Sequence, residues 1–170
     1  MQININGIQN SQQEIIHLLK QRNVLVACIQ ETKLTPASSL PDFPNFAAVR
    51  RDRPGRGGGG LITLVHHSIT YTEFDTSNFF PGDTVAECLA VELEMGGAKL
   101  LVANVYIPPV SSCPSDYSPN FTHLFNWSDD ILVMGDFNAH DPRWYSTTLD
   151  QGAAARGAAI CDALDTGTLT

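Results

Sequence analysis

The sequence predicts a mixed α/β fold, in which β-sheets are layered with helices. Its first 30 residues alternate strand, helix and strand, a pattern typical of parallel strands joined by a crossover. Its middle contains two strand-like runs joined by Gly96-Gly97, which is typical of an antiparallel hairpin. A further apolar run, which we expect to form another buried strand, and a helix rich in small residues follow. Parallel and antiparallel pairing are therefore both expected, with helices on the faces of the β structure.

The first third of the chain predicts the strand–helix–strand unit. Residues 2–5 (QINI) form a short strand, and residues 24–30 (VLVACIQ) are apolar enough for a strand buried on both faces. Between them Ser11 and Glu14 match the capping box S-x-x-E. The helix that they start should run for about three turns. Its apolar positions are Ile15, Ile16, Leu18 and Leu19.

The remaining elements follow from β-branched runs, turn residues and small-residue periodicity. Predicted strands lie at residues 46–50, 61–66, 69–74, 98–106 and 130–135, with a further one where Leu89, Val91 and Leu93 alternate with polar residues. Residues 107–119 read as a loop and 120–127 as a short helix. In the last helix, 152–167, we expect Ile160, Ala163 and Leu164 to face the core and Gly167 to end it.

The composition limits the classes of protein to which this chain can belong. A chain of 170 residues with 43% hydrophobic residues can form one domain with a real core. Its net charge of −8 argues against duplex binding through bulk charge, although a local basic patch is compatible with it. The four cysteines are widely spaced without CxxC, which favours buried free thiols over disulfides or zinc. No apolar run approaches membrane-span length and no signal peptide is evident, so we expect an intracellular protein.

Several polar side chains share one property, because each lies at or just beyond the carboxyl end of a predicted strand. These residues are Asn4, Asn6, Gln30, Glu31, Asn104, Tyr106, Asp136, Asn138, His140 and Asp141. In layered α/β folds such strand ends can converge on one cleft. Carboxylate and amide oxygens suit Mg²⁺, which takes few protein ligands and keeps waters. The set therefore suits metal-assisted attack on a phosphate.

Each of these residues also has a purely structural explanation. Glu31 could cap the following loop, and Asn4 could form an Asx turn. Tyr106 could be a packed aromatic, Asp136 a turn residue that accepts backbone N–H groups, and His140 an ordinary loop residue. Spacing alone does not bring them together.

The glycine-rich stretch at residues 55–60 formally matches G-x-G-x-x-G. A β-type run follows it where a dinucleotide-binding loop needs a helix, and no Gly-Lys-Ser/Thr is present, so a structural turn is favoured. Four of the ten basic residues precede or interrupt this stretch, and they form either a solvated loop or a patch that contacts DNA phosphates. They are Arg50, Arg51, Arg53 and Arg56.

Five motifs occur in an order that resembles a known family. They are NINGI (4–8), IQET (29–32), GGGGLITLV (57–65), NVYIPP (104–109) and MGDFNAH (134–140). Together they resemble the endonuclease/exonuclease/phosphatase superfamily, and most closely the apurinic-like endonuclease domain of non-LTR (LINE-type) retrotransposon polyproteins. GDFNAH followed by Trp144, together with NVYIPP, is similar to the jockey-like branch.

The resemblance implies a four-layer α/β sandwich, with two packed mixed β-sheets flanked by helices. It implies Mg²⁺-dependent nicking of one strand of target DNA (Mn²⁺ being a substitute), which primes a reverse transcriptase domain of the same polyprotein in the nucleus, with no membrane partner. By matching motif, Glu31 and Asn4 would hold or support the metal, and Tyr106 would contact the scissile phosphate. Asp136 would position or deprotonate the attacking water, and Asn138 would orient the phosphate. His140 matches a position common in this branch and is a candidate DNA contact, but it is not the family's catalytic histidine.

The family pattern continues with further strands and a late Ser-Asp-His motif that residues 1–170 lack. We therefore expect a single domain that is incomplete at its carboxyl end, with its last strands missing and with weak or no activity. Two alternatives stay open. One is a non-catalytic fragment of the same fold, and the other is a phosphoesterase that acts on lipid or inositol phosphates.

Overall fold

The computed structural model describes residues 1–55, 58–128 and 130–166. The chain forms two compact units, each assembled from three separated segments. The first unit comprises Met1–Asp75, Glu87–Tyr106 and Asp130–Asp136, and the second comprises Thr76–Ala86, Ile107–Asp129 and Phe137–Thr170. The predictions made for Arg56, Gly57 and Gly167 lie outside the described residues.

The first unit contains a four-stranded sheet with the order β1-β2-β4-β3. Its strands are β1 (Gln2–Asn4), β2 (Val26–Gln30), β3 (Phe46–Arg51) and β4 (Leu61–His66). β1 and β2 pair in parallel, as the strand–helix–strand pattern predicts, and the other pairs are antiparallel. Helix α1 (Gln12–Gln21) buries Ile15 and Leu19 against Ile29 and Leu64 of this sheet. Burial of these apolar side chains fixes the helix on one face of the sheet.

A second four-stranded sheet of the same unit has the order β5-β6-β7-β8. Its strands are β5 (Thr70–Phe74), β6 (Glu87–Met95), β7 (Ala98–Tyr106) and β8 (Ile131–Asp136). β7 and β8 are parallel, and the other pairs are antiparallel. The β6–β7 turn is made by Gly96 and Gly97, with φ of 60° and 87°. Glycine adopts such positive φ values without steric cost, which confirms the predicted hairpin.

The core of the first unit lies where residues of both sheets meet. Cys28 and Leu61 from the first sheet are buried in one cluster with Val91 and Val102 from the second. A polar network crosses this apolar layer, because Gln30 Nε2 donates to Asn104 Oδ1 at 2.7 Å. Asn104 Nδ2 donates in turn to the backbone oxygens of Ile62 and Ile29. Satisfied buried amides of this kind fix how the two sheets face each other.

The second unit holds α2 (Thr122–Phe125), α3 (Gln151–Thr166) and two short 3-10 helices, Val110–Ser112 and Pro142–Trp144. Its phenylalanines pack together, with ring centroids 5.9 to 6.4 Å apart among Phe121, Phe125 and Phe137. Edge-to-face and offset aromatic pairs are favourable at these separations. The unit thus has an aromatic core of its own.

Four details differ from the sequence predictions. Ser11 begins α1 without a side-chain cap hydrogen bond, so the predicted capping box does not form. Leu164 is 40% exposed and does not face the core. β8 is an edge strand of its sheet and only partly buried, with Leu132 44% exposed, since it is paired on one side only. The predicted loop 107–119 contains a 3-10 turn.

The cysteines fit the prediction of free thiols: Cys28, Cys88 and Cys161 are buried and Cys113 is partly exposed. None of the helices in the described part of the chain combines the length and the apolar character needed to cross a membrane.

Candidate active site

Four of the predicted residues meet where four strands of the first unit end. Asn4 is the last residue of β1, Tyr106 of β7 and Asp136 of β8, while Glu31 directly follows β2. Parallel pairing brings these strand ends together in two pairs, because Asn4 lies opposite Gln30 in the first sheet and Tyr106 opposite Asp136 in the second. The expectation that these strand ends converge is thus confirmed for four residues.

Hydrogen bonds join these four side chains into one cluster. Asn4 Nδ2 donates to Glu31 Oε1 at 2.9 Å and to Asp136 Oδ2 at 2.7 Å. The Tyr106 hydroxyl donates to the same Glu31 oxygen at 2.8 Å. Asn4 also forms the Asx turn considered above, since its Oδ1 accepts the Asn6 N–H at 3.2 Å. One amide therefore bridges two carboxylates of like charge.

The backbone at Glu31 is held in an unusual conformation, with a φ of 53°. Left-handed backbone at a residue other than glycine costs about 1–3 kcal/mol and persists only where its surroundings enforce it. Here the Glu31 carbonyl accepts the Gly7 N–H at 2.8 Å, and the next two N–H groups donate to the carbonyls of Gly60 and Gly59. The glycine-rich stretch therefore anchors the loop that carries the carboxylate.

Tyr106 is both a packed aromatic residue of the core and a member of the hydrogen-bonded cluster. Its ring belongs to the core of the first unit and the residue is only 4% exposed, while its hydroxyl reaches the carboxylate cluster. Burial raises the pKa of the phenol, and the hydrogen bond and negative charge of Glu31 raise it further. Near neutral pH Tyr106 is therefore a hydrogen-bond donor and not a phenolate.

The donor set fits a hard divalent cation. Two carboxylates lie within hydrogen-bonding distance of one amide nitrogen, so a cation between them would relieve their mutual repulsion. No hydrogen bond among the described residues engages Glu31 Oε2, which leaves that oxygen available as a ligand. The described residues contain no group of three or more His, Cys, Asp or Glu side chains placed to hold a metal. Mg²⁺ tolerates so few protein ligands because it keeps most of its waters.

Asn138 and His140 belong to the second unit. Asn138 has a φ of 46°, and its Nδ2 donates to the Ile107 carbonyl at 2.9 Å. Arg156 of α3 is buried and donates to the carbonyl oxygens of Phe137, Asn138 and Pro108 at 2.9 to 3.2 Å. His140 Nδ1 lies 2.7 Å from Ser146 Oγ, so the hydrogen bond of its side chain stays within its own loop.

The three described arginines of the basic stretch all make internal contacts. Arg50 donates to the carbonyls of Thr35 and Ser38 and pairs with Asp52 at 2.6 Å. Arg51 donates to the Cys88 carbonyl at 2.7 Å. These contacts fix the guanidinium groups, and a role in DNA contact stays a prediction for them and for Arg56.

The sequence analysis missed Glu87, which is buried beside the cluster and pairs with Arg53. It lies directly opposite Tyr106 in the β6–β7 register. The signal was present in the hairpin, because counting outward from Gly96-Gly97 places these two residues opposite each other.

Comparison with known proteins identifies the family and the fold of the chain. Residues 1–160 match a profile described as "Endonuclease/Exonuclease/phosphatase family". No curated protein sequence matches the chain. Among solved structures, the endonuclease domain of TRAS1, a telomere-specific non-LTR retrotransposon, is similar at 15% identity with a TM-score of 0.63, over 95% of this chain and 70% of that one.

Two further structures show the same fold. The AP endonuclease LMAP from Leishmania major has a TM-score of 0.66 at 15% identity, over 96% of this chain and 65% of that one. The 3'-5' exonuclease NExo from Neisseria meningitidis has a TM-score of 0.55 at 15% identity, over 96% and 69%. The chain therefore spans about two thirds of the length of these proteins. The predicted two-sheet α/β architecture is confirmed by these matches.

Proposed function

Because the chain belongs to the endonuclease/exonuclease/phosphatase family, we propose that it is a divalent-metal-dependent nuclease that nicks one strand of DNA. The observation that carries the proposal is the hydrogen-bonded cluster of Asn4, Glu31, Tyr106 and Asp136 at the strand ends. Family and fold indicate a nuclease or phosphatase. DNA is favoured as the substrate because the structural relatives described above are DNA-processing enzymes.

Each side chain of the cluster has a role in the proposed mechanism, and Asp136 has two. Glu31 and Asp136 would hold a bound Mg²⁺ or Mn²⁺, which would neutralise charge on the phosphodiester. Asp136 accepts a proton from the attacking water as the water oxygen bonds to phosphorus, the P–O3′ bond breaks, and solvent water protonates the leaving 3′-oxygen. The protonated Tyr106 hydroxyl donates a hydrogen bond to a phosphate oxygen. For Asn138, which belongs to the second unit, a role in orienting the phosphate stays a prediction from its motif. Asn4 keeps the two carboxylates in place.

Relaxation of supercoiled plasmid in the presence of Mg²⁺ tests this proposal. We expect EDTA to abolish nicking, and Glu31→Ala or Asp136→Ala to lower its rate by about 10²–10⁴-fold. Glu92→Ala is the matched control, because it also removes a carboxylate but from an exposed pair with Lys99. Nicking by Glu31→Ala at the control rate would contradict the proposed site.

The biological setting extends the proposal. A nick used for priming must leave a 3′-hydroxyl, which a reverse transcriptase domain of the same polyprotein would extend in the nucleus. Extension of the purified nicked plasmid by a DNA polymerase without prior phosphatase treatment is the expected result. A nick that needs phosphatase treatment before extension would contradict the priming role.

Two further measurements distinguish the alternatives, which are a phosphoesterase of lipid or inositol phosphates and a non-catalytic fragment of the fold. Faster hydrolysis of inositol phosphate head groups than of DNA would reverse the choice of substrate. Calorimetric binding of Mg²⁺ without cleavage of either substrate would indicate a non-catalytic remnant of the fold.

A further inference from the structure

Arg53 connects the carboxylate cluster to a partly buried ion pair with Glu87, which the proposed mechanism does not use. Its guanidinium carbon lies 5.5 Å from the centre of the Tyr106 ring. Its Nε donates to Glu87 Oε1 at 2.5 Å, and its Nη2 forms an ion pair with the same oxygen. The arginine thus contacts the ring of the tyrosine whose hydroxyl contacts Glu31.

Glu87 holds this arginine from a fixed position. Its second oxygen accepts the Gly60 N–H at 2.7 Å, and its strand places it directly opposite Tyr106. Burial raises the pKa of Glu87, while the Gly60 N–H and Arg53 both lower it. The charge of the carboxylate therefore depends on the two groups that it binds.

The glycine-rich stretch is shaped around this pair. A Cβ at Gly59 would collide with Glu87 Oε1 and the Arg53 guanidinium, and a Cβ at Gly60 would lie 2.6 Å from Thr32 Oγ1. The carbonyls of the same two glycines bind the N–H groups of Lys33 and Thr32, which follow Glu31. Glycine is thus favoured at both positions by their positive φ values and by the close approach of these side chains, and no phosphate is needed to explain it.

We propose that Arg53 and Glu87 are positioning residues, which fix the ring of Tyr106 and thereby aim its hydroxyl at the reacting phosphate. The inference rests on the proposed nuclease function and deepens it. Contacts close a loop from Glu31 through Tyr106, Arg53 and Glu87 to Gly60, whose carbonyl returns to the segment after Glu31. An ion pair that only stabilised the fold would need no contact with the tyrosine ring, whereas a pair that positions the ring needs one.

Kinetics separate positioning from simple stabilisation. Arg53→Met removes the cation that contacts the Tyr106 ring and so leaves the ring less firmly held. We expect kcat for plasmid nicking to fall about tenfold. We expect KM to stay within about twofold, because Arg53 acts through Tyr106 and not through substrate. Arg53→Lys keeps the charge without the planar fork and should restore part of kcat. Lys99→Met is the control, since it removes a cation paired with an exposed carboxylate on the same sheet. A rise in KM alone, or equal kcat in Arg53→Met and Lys99→Met, would overturn the inference.

A second measurement needs no activity. In protein labelled with ¹³C-tyrosine, Tyr106→Phe identifies the Tyr106 ring signal. Arg53→Met and Glu87→Gln should both shift this signal while the thermal midpoint stays close to that of the wild type, and Lys99→Met should leave it in place. An unmoved Tyr106 signal in both variants overturns the inference. A shifted signal in a protein that never nicks DNA supports the positioning role and rejects the nuclease proposal.

Discussion

Asn4 is the residue on which the arrangement of both site carboxylates depends. Its two N–H donors are divided between Glu31 and Asp136, while its oxygen is committed to the Asn6 N–H. In this arrangement the amide orients the carboxylates and its oxygen faces its own turn. The role as a metal ligand stays a prediction for Asn4, and Glu31 is the better supported ligand.

Replacing this amide by a third carboxylate makes the site sensitive to cations. In Asn4→Asp both hydrogen bonds to the carboxylates are lost and like charges are added, so the free energy of unfolding should fall by about 2–3 kcal/mol in EDTA. Excess Mg²⁺ should restore more stability to the variant than to the wild type, because it binds the folded site. Urea unfolding with and without Mg²⁺ measures both effects.

Asn6→Asp is the control for that experiment. It makes the same change in charge two residues away, where the Asn6 oxygen accepts from Lys33 and the positive φ suits Asp. Equal urea midpoints for the two variants, unaffected by Mg²⁺, would exclude a cation site between Glu31 and Asp136.

At the scale of elements, helix α3 contributes more than apolar packing to the second unit. Its Arg156 is buried, pairs with no carboxylate among the described residues, and donates to three backbone carbonyls, two of which belong to Phe137 and Asn138. Gly157 lets the helix approach closely, since a Cβ there would collide with the His140 carbonyl. α3 thereby holds the segment that follows the GDFN motif.

Loss of this arginine should destabilise the fold. Arg156→Met leaves buried carbonyl groups without donors, so we expect the free energy of unfolding to fall by about 2–4 kcal/mol in guanidinium chloride titrations. Arg143→Met is the matched control on a half-exposed side chain, where the loss should be much smaller because solvent screens the ion pair. Equal effects of the two substitutions would show that the Arg156 hydrogen bonds do not support the segment.

Local sequence predicted the helices and strands themselves, but it did not predict which strand lies at the edge of its sheet or how helix α1 is capped. Gly96-Gly97 specified the hairpin because few residues other than glycine adopt both positive φ values. The interpretation of β8 as a buried strand was wrong, because an apolar run does not reveal whether a strand is central or at an edge. The capping box predicted at Ser11 and Glu14 does not form, because a match in residue type does not fix the geometry of the two side chains.

At the scale of the whole molecule, buried thiols couple stability to pH. Burial raises the pKa of Cys28 from 9.0 to about 12, so above pH 9 the unfolded chain releases a proton that the folded chain keeps. The stabilisation is complete below pH 9 and is lost as the pH rises towards 12, with a slope of about 1.4 kcal/mol per pH unit for this thiol.

Chemical denaturation at several values between pH 9 and 12 checks this expectation. The free energy of unfolding of Cys28→Ala should fall less steeply with pH than that of the wild type. Cys113→Ala, at the partly exposed cysteine, should follow the wild type. Identical slopes in all three proteins would exclude Cys28 as the source of the pH dependence.

The sequence by itself determined the α/β class, most of the strands, and Asn4, Glu31, Tyr106 and Asp136 as site candidates, because periodicity and turn chemistry are local properties. Only the tertiary structure decided that one amide bridges both carboxylates and that Glu31 adopts a left-handed backbone. It also revealed the ion pair of Arg53 with Glu87 beside Tyr106. Such contacts join residues far apart in sequence, and their geometry depends on sheet register and on which side chains share a buried space.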